Sequence, residues 1–158
     1  MIMRPHRFVV GFGWGVAATV VMSLVMLAGI ATGLSPMPKP IPAALMGRLL
    51  GGGMPKAALM ALAAGSHLAY GGFWGAILAS STLRVTVGKA LGMGVVLWLL
   101  MQVVVLPFLG WGPFGSAVTP AIAVATIVLH LVYGLTLGLL ADRGATPEPV
   151  VGTSNDRP

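Results

Sequence analysis

The sequence predicts an all-α membrane protein, a four-transmembrane-helix bundle made of two tandem helical hairpins. Three observations lead there. The 158 residues are 57 % hydrophobic and only 8 % charged, far from the roughly 25 % charged share of a soluble domain. The apolar residues fall into four uncharged runs, each at least as long as the roughly 20 residues that a helix needs to cross a bilayer. The second and fourth runs also carry the same nine-residue pattern.

The first run extends from about Phe8 to Leu34. Arg4 and Arg7 precede it as in a signal peptide, but it exceeds the 7–15 apolar residues of a cleaved segment, so a retained anchor is expected. The loop 35–56 follows. It opens Ser35-Pro-Met-Pro-Lys-Pro-Ile-Pro42, where alternating prolines favour extended polyproline backbone. Ala43 to Leu50 then reads as two helical turns entered at Pro42 and stopped by Gly51-Gly-Gly53, lying along the outer interface with Arg48 at the headgroups. The remaining runs span Ala57 to Leu83, Ala90 to Leu109 and Ala117 to Ala141. Residues 1–143 thus make the membrane domain, and 144–158, rich in Pro, Gly, Thr, Ser and Asp, read as a disordered cytoplasmic tail.

The net charge of +6 comes from nine Lys and Arg scattered singly or in pairs, with no basic stripe, which argues against a nucleic-acid partner. Topology explains them. With the N-terminus inside, Arg4, Arg7, Arg84, Lys89, Arg143 and Arg157 are cytoplasmic and Lys39, Arg48 and Lys56 external. The excess inside places both termini in the cytoplasm of a multi-pass inner-membrane protein. The loop from Pro107 to Thr119 is uncharged and carries Phe108, Trp111 and Phe114, which suit an interfacial aromatic belt.

The repeat reads His67-Leu-Ala-Tyr70-Gly71-Gly-Phe-Trp-Gly75 and His130-Leu-Val-Tyr133-Gly134-Leu-Thr-Leu-Gly138. Residues at i, i+3, i+4 and i+8 share one helix face. A weaker likeness joins Gly11 and Gly15 of the first run to Gly88 and Gly92 of the third. The two halves therefore read as a parallel pseudo-repeat, with its axis along the membrane normal and the His-Tyr-Gly faces of the second and fourth helices in contact.

Imidazoles in hydrocarbon need partners, so His67 and His130 are the candidate site. Two readings stay open. One haem b could be held with His67 and His130 as iron ligands, Gly71 and Gly134 leaving room for the porphyrin and Tyr70 and Tyr133 at its edge. Alternatively the motif packs helices, the small residues admitting close backbones and the His and Tyr bonding across. Copper is a third reading, since Met22 and Met26 lie one turn apart and thioethers select Cu(I). Small-solute transport would need a polar path past Thr19, Ser23 and Gln102.

The acids Asp142, Glu148 and Asp156 all lie at or beyond the last run, which excludes paired-carboxylate catalysis and leaves Ser23 and Ser66 without a triad acid. Zero cysteines exclude thiolate chemistry. No enzyme is indicated; an accessory or structural membrane subunit, contacting lipid and a membrane-protein partner or a second copy of itself, is expected.

The Gly-rich first run Gly15-Val-Ala-Ala-Thr19-Val-Val-Met22-Ser23, the Pro-rich loop and the His-x-x-Tyr-Gly stretches resemble small inner-membrane proteins of the YagU-like kind. That resemblance covers the four apolar runs and implies a multi-spanning membrane location; it brings no catalytic residue.

Overall fold

The computed structural model describes residues 5–51 and 53–143. Among them the regular structure is entirely helical, with no strand. Four long helical stretches pack together: α1 (Pro5–Ala31), α3 (Lys56–Ser81), the pair α4 (Val87–Leu100) and α5 (Leu106–Phe108) joined by a π-helical turn at Met101–Val105, and α6 (Ala121–Arg143). The short α2 (Ile41–Leu50) lies on α3. Residues 144–158, read from sequence as a disordered tail, lie outside the described residues. His6 is an exposed residue of α1's first turn.

Three stretches, His6–Ala31, Val87–Phe108 and Ala121–Arg143, are long and apolar enough to cross a membrane. Their outward faces are lined with exposed Val, Leu and Phe, such as Val9, Leu24, Val96, Val103, Val124 and Leu135, a surface that lipid rather than water accommodates. α3 is 26 residues long, but Gly65, Ser66, His67, Tyr70, Gly71 and Gly72 dilute its apolar character midway.

Local chemistry sets the helix ends. α2 begins with Pro42 in its first turn, where the missing N–H is no loss, and stops at Gly51 with φ 76°, a backbone geometry that favours glycine. Thr86 caps α4 by accepting from the Lys89 N–H at 3.3 Å. The π-turn precedes Pro107, and the Leu106 N–H reaches back five residues to the Met101 carbonyl. Proline lacks an N–H and its ring crowds the carbonyl four residues earlier, so the turn before it widens.

The helices stand in the order α3, α1, α6, α4, since α1 packs on both α3 and α6 while α4 packs on α6. This corrects the expected packing of α3 directly on α6 through the glycines of their shared motif. The glycine face of α3 meets α1: a Cβ on Gly75 would lie 2.5 Å from the Gly11 carbonyl and 2.7 Å from the Gly15 Cα. The glycine face of α6 meets α4: a Cβ on Gly134 would lie 2.6 Å from the Ala90 carbonyl and 2.8 Å from the Leu91 Cα. Gly88 and Gly92, likened in sequence to Gly11 and Gly15, have nothing within 4 Å of an added Cβ; in α4 Gly94 makes the close approach, against the His130 carbonyl.

Two side-chain contacts tie α3 and α6 in the same direction. Tyr133, 2 % exposed, donates its hydroxyl to the Gly71 carbonyl at 2.7 Å. Just past the C-terminal end of α3, Arg84 donates to Asp142 at 2.6 Å. The ion pair is solvent-exposed and adds at most about 1 kcal/mol, but it shows the two helix ends side by side.

Candidate functional site

The Tyr133–Gly71 bond sets the relative height of the two repeats, because one helical turn above it on each helix stand His67 and His130. Both line a single cavity of about 360 Å³ in the half of the molecule nearest α2, a volume within the range of small-molecule sites. α1 contributes Met22, Ser23 and Met26, α3 contributes Ser66, His67 and Tyr70, and α6 contributes Thr126, Leu129 and His130. Met101, Val104 and Val105 of the π-turn form another wall, and Met37 with Pro42, Leu45 and Met46 of α2 complete the lining. A π-turn beside a cavity is common at functional sites.

His130 has a defined tautomer. Its Nδ1 lies 2.8 Å from the Thr126 carbonyl, and a carbonyl only accepts, so Nδ1 carries the proton and Nε2 of the neutral ring keeps a free lone pair. Metal-ligating and ligand-accepting histidines are commonly oriented by such a bond.

Behind the cavity, Thr126 is also the hub of a buried polar group. Its Oγ1 donates to the Ile122 carbonyl at 2.6 Å and accepts from Gln102 Nε2 at 2.8 Å. Gln102 is fully buried, and its Oε1 has no hydrogen-bond partner among the described residues. Thr19 donates back to the Gly15 carbonyl at 2.8 Å and fills the space over Gly71.

Of the six candidate site residues, the structure brings three, His67, Tyr70 and His130, to the cavity wall. Tyr70 is otherwise exposed and stacks edge-on against Trp74 at 6.1 Å. The other three serve helix contacts: Tyr133 bonds Gly71, Gly71 abuts Thr19, and Gly134 abuts the α4 backbone. The space beside both glycines is filled by neighbouring helices and holds no porphyrin slot. Of Thr19, Ser23 and Gln102, the residues of the polar path considered from sequence, Ser23 lines the cavity and the other two do not.

Sequence reasoning missed how far the methionines converge. Met22 and Met26 are legible as a pair from their spacing, but Met37, Met46 and Met101 come from three other segments and meet them only through the fold. Among the described residues no three His, Cys, Asp or Glu side chains come together.

Fold and composition together define the class: a helical protein whose long apolar helices are compatible with a bilayer. Beyond the class, comparison with known proteins finds no matching family model, no matching curated protein and no matching solved structure.

Proposed function

We propose that the chain is a four-span inner-membrane protein with both termini cytoplasmic, acting as an accessory subunit that binds a small ligand in its histidine-walled cavity. The cavity carries this reading: an apolar chamber with two imidazoles converging from the repeated motifs is the kind of site that holds a small molecule by a few polar contacts. α3 crosses as the fourth span, since 26 residues reach about 39 Å as helix, longer than a bilayer core of about 30 Å. The positive-inside count then sets α2 and the cavity in the outer leaflet. Because Nε2 of neutral His130 offers a lone pair, the ligand presents an electron-pair acceptor there: an N–H, an O–H or a metal ion. Among the described residues Ser23 and Ser66 have no acid partner, which favours binding over triad catalysis.

1-Aminoanthracene, a flat apolar amine, tests the cavity. Purified protein in detergent is expected to bind one per chain saturably, and Leu129→Trp, which narrows the chamber, to weaken binding at least tenfold. Simple partitioning, equal for both proteins and for empty micelles, would remove the binding reading. The absence of cysteine makes topology equally accessible. A single cysteine replacing Lys39 is expected to react with an impermeant maleimide on intact cells and one replacing Lys89 to react only after lysis. The reverse pattern would invert the orientation.

Haem b remains the second reading, favoured by the presence of both imidazoles on one cavity. The packed surroundings of Gly71 and Gly134 count against it. An absorption spectrum decides: a reduced six-coordinate b-haem spectrum, lost in both His67→Phe and His130→Phe, would establish it.

A further inference from the structure

We infer that the cavity is a binding site for a soft monovalent metal ion, cuprous copper, with imidazole and thioether donors. The inference rests on the ligand-binding reading above and names its ligand. The first observation is the donor set. Five of the chain's ten methionines lie among the nineteen residues that line the cavity, whereas ten methionines spread evenly over 158 residues would place about one there. They arrive from separate segments: Met22 and Met26 from α1, Met101 from the π-turn, Met37 from the loop before α2 and Met46 from α2. A core that merely tolerated methionine would scatter them; here half of them share one chamber with both histidines of the repeat.

The second observation is the prepared imidazole. The Thr126 carbonyl holds the proton of His130 on Nδ1, leaving Nε2 as a metal-ready lone pair on a residue of the cavity wall. The third is charge. Among the described residues no Asp or Glu lines the cavity, so an entering cation keeps its whole charge in apolar surroundings. That penalty grows with the square of the charge and strongly disfavours divalent ions, which also prefer harder oxygen and nitrogen donors. Neutral thioether and imidazole donors select Cu(I), which carries one charge and binds soft sulfur. No electron transfer is involved: the ion enters as Cu(I), exchanges its carrier's donors for these dative bonds, and leaves as Cu(I).

The test is Cu(I) transfer to the full chain in detergent, held reduced by ascorbate and competed against bicinchoninate. One Cu(I) per chain is expected. His67→Phe/His130→Phe is expected to weaken binding at least a hundredfold, and Met22→Leu/Met26→Leu, which keeps side-chain volume, at least tenfold. X-ray absorption should show both sulfur and nitrogen neighbours at copper. Circular dichroism of each variant separates lost binding from lost folding, and Ag(I) protection against thermal unfolding gives a second readout that the variants should lose. Absence of Cu(I) uptake by folded wild-type protein, or uptake equal in wild type and both variants, overturns the proposal. If 1-aminoanthracene still binds and is excluded by Leu129→Trp, the cavity reading survives and only the metal falls; if neither binds, both fall.

Discussion

Gly75→Val and Gly134→Val are each expected to destabilise the folded protein by about 3 kcal/mol or more, at the upper end of overpacking effects. The reason is what the new side chain would meet. At Gly134 the nearest atoms to an added Cβ are the Ala90 carbonyl oxygen at 2.6 Å, the Leu91 Cα at 2.8 Å and the Ala90 carbonyl carbon at 3.0 Å. At Gly75 they are the Gly11 carbonyl oxygen and the Cα and N of Gly15, the last at 2.9 Å. All are backbone, which cannot change rotamer out of the way, so α4 must draw back from α6 or α1 from α3. Retreat sacrifices the close packing that drives helix association in lipid, where no hydrophobic force substitutes for it. Gly88→Val and Gly92→Val are the controls: nothing lies within 4 Å of a Cβ at either position. They should leave stability unchanged or slightly raised, because glycine is a poor helix former. Thermal unfolding in detergent followed by circular dichroism checks the pairing, and equal losses at Gly92 and Gly134 would contradict the packing described.

That contrast marks what could be read in the chain. Apolar runs locate the helices because a bilayer demands length and hydrophobicity and little else, and Pro42 and Gly51 place the ends of α2 through backbone chemistry that is local. Helix neighbours are not local. The spacing of His67, Tyr70, Gly71 and Gly75 puts them on one stripe, but it cannot say which helix that stripe faces. The shared motif pointed α3 at α6, whereas each glycine face packs on its hairpin partner, α1 or α4, leaving Tyr133 as the bridge between the repeats. The likeness of Gly88 and Gly92 to Gly11 and Gly15 misled in the same way, because a glycine spacing recurs readily in a chain with 23 glycines. The π-turn was invisible within an unbroken apolar run, although Pro107 supplies its cause. The choice of His67 and His130 as one candidate site was legible from the repeat, and both line one cavity. The cavity was not, since its walls come from every long helix and from the π-turn.

Thr126→Val is expected to destabilise the protein by about 1–3 kcal/mol, the penalty for stranding a buried donor, although Val matches Thr in volume. The substitution removes the acceptor of the Gln102 Nε2 bond and leaves an amide that is 0 % exposed and whose Oε1 already lacks a partner among the described residues. Gln102→Leu should behave oppositely, changing stability by less than about 0.5 kcal/mol or raising it. It deletes the amide along with its unmet bonding, and replacing buried polar groups by apolar ones of similar shape is nearly neutral. Thr126 is not stranded in return, for its hydroxyl still donates to the Ile122 carbonyl. The double variant Gln102→Leu/Thr126→Val should therefore recover most of the loss seen in Thr126→Val alone, a coupling that two independent sites would not show. Unfolding midpoints of the four proteins in one detergent measure it. A large loss in Gln102→Leu itself would show that Oε1 is bonded in the working protein, to a water held inside the bundle.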